Sequence, residues 1–347
     1  MRSAVAVGVM AVAVAVAAAA AQGAWTPRSS GVNVTLRGVS AVSADVAWAS
    51  GSRGTVLRTL DAGTTWQNVS PMPPLALDFR DVDAIDRMTA YILSIGNGDA
   101  SRILKTTDGG ATWVTQFTSP DADAFFDAMA FWDGDHGIAF SDSANAQFRI
   151  ITTSDGGRRW TRVPLAGLPP ALENEGAFAA SGTNIAVWGD RHVWIGTGAA
   201  ARARVIYSSD RGRTWTVADT PIPGGASAGI YSIAFRDAHH GIVVGGDYAK
   251  EDLALDNVAM TDDGGTTWRL APGVGGFRSA VTYIPAASGL ALLAVGPSGS
   301  DLSSDDGRTW TAIPTPARGL HTYSHARGTG VGWAAGGRGQ IARFAVR

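Results

Sequence analysis

No cysteine occurs among the 347 residues, which excludes disulfides, thiolate metal sites, lipid attachment through a cysteine and cysteine nucleophiles. Charge of one sign is equally scarce in any one place. The 28 basic and 30 acidic residues are interspersed and leave a net charge of -2, so neither a nucleic acid nor an anionic membrane surface is an implied partner. Helical periodicity is missing too; apolar residues alternate over short stretches, and 44 glycines separate them, the pattern of short strands and tight turns.

The one long apolar run lies at the start. Arg2 precedes an Ala/Val-rich stretch over 4–18, and Ala19, Ala20 and Ala21 offer small residues for cleavage before Gln22. That pattern predicts a secretory signal over 1–21, a mature chain starting near Gln22 without a membrane span, and a periplasmic or extracellular location. Outside the cytoplasm and without disulfides, stability has to come from packing and strand pairing.

One motif occurs six times: TLDAGTTW from Thr59, TTDGGATW from Thr106, TSDGGRRW from Thr153, SSDRGRTW from Ser208, TDDGGTTW from Thr261 and SSDDGRTW from Ser303. Its aspartates, Asp61, Asp108, Asp155, Asp210, Asp263 and Asp305, are 47, 47, 55, 53 and 42 residues apart, the period of a four-stranded propeller blade. Each copy follows a β-rich run and leads into another through Trp66, Trp113, Trp160, Trp215, Trp268 or Trp310. It reads as a strand-turn-strand element. The aspartate accepts turn N–H groups, the glycine two residues on takes positive φ, and the indole packs over the turn.

Innermost strands are expected at 36–42, 79–85, 125–131, 175–181, 230–235, 277–283 and 320–327, which makes seven blades. The last lacks the motif, yet VGWAAGGRGQIARF from Val331 parallels VAWASGSRGTVLRT from Val46. The chain ends one strand short there. Residues 31–35 are the expected donor of that outer strand, with 25–30 as a lead-in, so the N-terminus closes the ring and no sheet edge is left open. The expectation is therefore a single all-β domain over 22–347, a seven-bladed β-propeller of four-stranded antiparallel blades. Blade four is irregular: 184–189 and 192–198 supply one segment too many.

At these residues the chain resembles the Asp-box, or bacterial neuraminidase repeat, superfamily of propellers, and most of all its photosystem II assembly-factor branch. The resemblance covers nearly everything after Ser30. It implies a non-enzymatic binding or assembly platform, whereas the partner's identity does not carry over, because stretches such as those from Phe125 and Leu168 fall outside the shared repeat.

If the motifs lie between third and fourth strands, the opposite face carries the loops 142–147, 198–204 and 247–256 and the links 164–174 and 221–229. Near that mouth the starts of the inner strands bring together Arg80, Asp81, Asp127, Glu175, Tyr231, Arg278 and His321, and the loops add Arg202 and Asp247. This is the expected binding site, for a protein or carbohydrate partner, on a monomer. A sialidase-like glycoside hydrolase is the alternative. It would use Arg80, Arg202 and Arg278 as a carboxylate clamp, with Asp127, Glu175 or Tyr231 as acid or nucleophile; the Arg-Ile-Pro signature of sialidases is missing. His136 and His240 occupy equivalent repeat positions and read as turn residues, leaving His321 and His325 less explained. The pairs Asp262-Asp263 and Asp305-Asp306 lack the ligand spacing of calcium loops. No metal or cofactor is expected.

Overall fold

The computed structural model describes residues 23–286, 289–314 and 318–346; the expected signal segment and its cleavage site lie outside them. The described strands form seven antiparallel sheets of four strands each, arranged around one axis as a β-propeller. The innermost strands of blades 1 to 7 are Leu36–Ala41, Asp78–Ala84, Phe126–Phe131, Ile185–Trp188, Ala228–Phe235, Ala280–Ala286 and Leu320–His325.

Burial explains the composition of each blade. Second strands such as Ala47–Gly51 and Val331–Gly336 are buried along their whole length because neighbouring blades cover both of their faces. Outer strands such as Gln67–Asn68 and Thr161–Arg162 are short, polar and exposed. The cores lie in the seams between blades. Trp333 of blade 7, for instance, packs with Leu36, Ala49 and Leu57 of blade 1.

Two strands differ from expectation. The stretch 175–181 is not a strand; Ile185–Trp188 is the innermost strand of blade 4, and it pairs with His192–Gly196. With only glycine, alanine, one serine and Phe178 after Glu175, the stretch has few side chains to fill a seam. The ring is closed by Gly23–Ser29, which pairs antiparallel with Gln340–Val346 from Gly23↔Val346 to Ser29↔Gln340, and not by 31–35. Trp25 secures this strand, with its ring 5.0 Å from Phe344 and 5.8 Å from Tyr323. Residues 31–35 instead link blades 7 and 1, where Thr35 and Val34 accept from Ser52 N and Gly339 N.

The six repeated turns lie between third and fourth strands. Their hub is the leading hydroxyl. Thr106 Oγ1 donates to Asp108 Oδ1 at 2.8 Å and accepts from the buried Gly110 N at 2.9 Å, while Asp108 also accepts from Thr112 N and Oγ1. The same hydroxyl bonds recur at Thr59, Thr153, Ser208, Thr261 and Ser303. The second residue after the aspartate is glycine in every copy, for two reasons. Its φ is positive, as in Gly157 at 82° and Gly265 at 94°, and it abuts the preceding blade, where a Cβ on Gly157 or Gly265 would stand 3.0 Å from Tyr91 or 3.1 Å from Trp194. Those aromatics also donate across the seam, Tyr91 Oη to Gly156 O and Trp194 Nε1 to Gly264 O. His136 and His240 close Asp-x-x-His turns on Asp133 and Asp237.

Candidate functional site

An innermost strand has no sheet partner on its axial side, so its N–H groups there need other acceptors. Here the neighbouring blade supplies them. Ala41 N donates to Ser324 Oγ at 3.0 Å, Ala84 N to Ser40 Oγ at 3.0 Å and Val281 N to Ser232 Oγ at 2.9 Å. From blade 2 to blade 3 the acceptors are carboxylates: Met129 N donates to Asp81 Oδ2 at 2.8 Å and Phe131 N to Asp83 Oδ2 at 2.9 Å.

The stretch 175–183, displaced from the sheet, crosses the axis and bonds to every other blade. Arg37 Nη1 of blade 1 donates to Ala180 O, and Arg80 Nη1 of blade 2 to Ala179 O. Ala177 N donates to Asp142 Oδ1 of blade 3 at 3.0 Å. Ile233 N of blade 5 donates to Thr183 O, Ser181 Oγ donates to Ser279 O of blade 6, and Thr322 Oγ1 of blade 7 donates to Ser181 O. Phe178 stacks on Tyr231 with centroids 4.1 Å apart. Where this segment starts, the buried Glu175 carboxylate accepts from Arg204 Nε at 2.9 Å, Arg204 Nη2, Thr197 Oγ1 at 2.7 Å and Leu172 N at 2.8 Å.

The expected site residues accordingly find internal partners at this end of the axis. Glu175 is wholly engaged, and Arg278 is buried in a pair with Asp301 at 2.6 Å. Asp127 is buried against Asp142; burial first and that second carboxyl next hold it protonated well above the usual range, while burial pushes Asp142 up to about 6. Tyr231 Oη donates to Ser227 O, and burial raises its pKa. Asp247 accepts from Ala249 N and pairs with Lys250 at 3.3 Å. His321 lies near Arg37 and Arg80 and is kept neutral, burial and those two cations lowering it to about 3. Arg80 is half-buried against Asp78, whereas Arg202 is exposed beside Asp219. The three arginines of the hydrolase reading thus have separate carboxylate partners and form no shared clamp.

Beyond the crossing segment the axis opens again. A cavity of about 770 Å³ is floored by Ser181, Gly182 and Thr183 and walled by the inner strands of all seven blades. It opens on the face of the repeated turns, at a rim that includes Trp132, Trp188, Arg236, Leu290 and Arg327. Asp81 sits at the bottom, buried and packed so closely on Gly182 that a Cβ there would stand 2.1 Å from its Oδ1. Asp83 is higher in the wall; burial pushes it up to about 6 against the opposing bond from Phe131 N. Asp83 was not among the expected site residues, although the repeat carries the signal: in register, the other blades place serine, alanine or threonine there. Among the described residues, no cluster of three or more acidic or histidine side chains could hold a metal ion, and no helix is long and apolar enough to cross a membrane.

No protein-family profile and no curated protein matches the sequence. Solved structures do. YCF48 bound to D1 peptide is 16% identical with a TM-score of 0.62, covering 93% of this chain and 97% of that one. YCF48 from Cyanidioschyzon merolae is 17% identical with a TM-score of 0.64, covering 93% and 99%. Virginiamycin B lyase from Staphylococcus aureus is 15% identical with a TM-score of 0.67, covering 94% and 100%. At this identity the likeness concerns the fold alone, which binding proteins and a lyase share: the chain is a seven-bladed β-propeller.

Proposed function

We propose that this chain is an exported, non-enzymatic propeller of the Asp-box type that holds a segment of a protein partner in its axial vestibule. The observation that carries this reading is the axial cavity. The crossing segment lies across the axis and floors a deep cavity, with aromatic and charged side chains at its rim, in the size range of ligand sites. A propeller of similar fold, YCF48, has been solved bound to a peptide, which agrees with this use of the scaffold. Hydrolysis is less well supported, since Glu175 and Arg278, two of the residues it would use, are committed to buried ion pairs.

The test is photo-cross-linking in the envelope of the source cell. A photoreactive residue at Trp188 or Leu290, on the vestibule rim, should trap a protein partner, and one at Tyr248, on the far face, should not. Adducts from Tyr248 alone would move the site to the far face. Turnover of a sialoside or glucan by the purified chain would overturn the non-enzymatic reading.

A further inference from the structure

Within one ring, blade-to-blade comparison separates what the fold needs from what it does not. The axial N–H groups of blades 1, 2 and 6 are capped by the hydroxyls of Ser324, Ser40 and Ser232. Asp83 does the same for Phe131 N with one carboxylate oxygen. A serine would suffice, without the penalty of burying an acid. The charge and the second oxygen of Asp83 are therefore surplus to the capping role. They face the vestibule. Among the described residues Asp83 forms no ion pair; the cation whose charge reaches it is the exposed Arg327.

We infer that the vestibule selects a basic side chain of its partner, a lysine or arginine, whose cation pairs with Asp83. A long aliphatic stem with a terminal cation suits the rest of the cavity. The stem would lie along Val187, Phe235 and Tyr283 of the wall, and the rim offers the indoles of Trp132 and Trp188 to a passing cation. The carboxylate supplies what the apolar wall cannot, a charged acceptor at depth. This inference rests on the vestibule being the binding site.

A displayed library of random decapeptides, selected on the full chain at pH 7.5, tests both levels. The wild type should enrich peptides with a lysine or arginine beside apolar residues. Asp83→Ser, which keeps a capping hydroxyl, should retain apolar enrichment and lower the preference for the basic residue by about tenfold, the scale of one charge-assisted hydrogen bond. Thr282→Trp, which fills the cavity from the opposite wall, should abolish enrichment of either kind. Apolar enrichment without a basic residue, or a basic preference untouched by Asp83→Ser, overturns the inference and leaves the vestibule reading standing. Enrichment unaffected by Thr282→Trp, or none at all, overturns both. A cooperative melting transition well above the selection temperature for each of the three proteins establishes that the variants are folded.

Discussion

The Glu175 carboxylate and the Arg204 guanidinium form a buried pair within blade 4, with Arg204 Nε 2.9 Å from Glu175 Oε1. Removing one partner of such a pair strands the other charge away from water. Glu175→Gln should therefore destabilise the fold by about 3 to 5 kcal/mol in urea unfolding. Partner capture should fall only as far as the folded fraction does. Unchanged stability with capture abolished would return Glu175 to the role of a contact.

The repeated turns depend on their leading hydroxyl as much as on the aspartate. Thr106→Val keeps the shape but removes the acceptor of the buried Gly110 N. A loss of about 1 to 3 kcal/mol is expected, as for an unsatisfied buried donor. Thr106→Ser should restore most of it, since serine serves at Ser208 and Ser303. If valine is as stable as serine, the hydroxyl is not the hub.

Stability should depend on pH in two opposed ways. Asp83 and Asp142 are held at about 6 by burial, above the unfolded value of about 4. The folded state thus keeps protons that the unfolded state releases, so these groups lower stability as pH rises through about 4 to 6. Asp108 is held at about 2, chiefly by the Thr112 hydroxyl and N–H; its contribution is complete above about pH 5 and is lost as pH falls through about 2. Between pH 7 and about 5 the gain from Asp83 and Asp142 is opposed by His321, whose lowered value of about 3 costs stability once the pH falls below its unfolded value of about 6.5. The test is therefore relative: Asp142→Asn should lose part of the wild type's gain between pH 7 and about 5 and leave the fall at about pH 3 and below unchanged. A variant whose urea midpoint follows the wild type's across that upper range contradicts the assignment.

The crossing segment should open as a unit. Gly182 has φ of 73° and lies against Asp81, so Gly182→Ala combines backbone strain with a steric conflict and should cost more than about 1 kcal/mol. Hydrogen exchange should quicken at Ala177 N and Ile233 N, which bond to or from this segment, while exchange in the seam strands stays slow. Uniform acceleration throughout the ring would mean that the segment has no separate opening.

How far the sequence could be read follows from these parts. Six of the seven inner strands and all the turn aspartates were legible, because alternation and a fixed period are local signals. The closing strand was not. Pro27 lies inside it, opposite Ala342, and a proline argues against a strand except at an edge, where Gly23–Ser29 lies; Val32 and Val34 offered the more strand-like pattern nearby. The role of 175–183 was hidden for another reason. Its bonds run to six other blades, and no local pattern encodes a contact between Ser181 and Thr322. The position of the deep cavity depends on that segment, so the sequence drew attention to the opposite end of the axis.

The pairing of Gly23–Ser29 with Gln340–Val346 also bears on the time course of folding. Each seam needs only the next blade, so blades can form in order along the chain. The last sheet is different, for it joins segments separated by more than 300 residues. Until both are present, Gly23–Ser29 has no sheet to join and blade 7 lacks its outermost strand. Closing so long a loop comes late and slowly. The ring is thus most exposed to strand exchange with a second copy in the interval before its own ends meet.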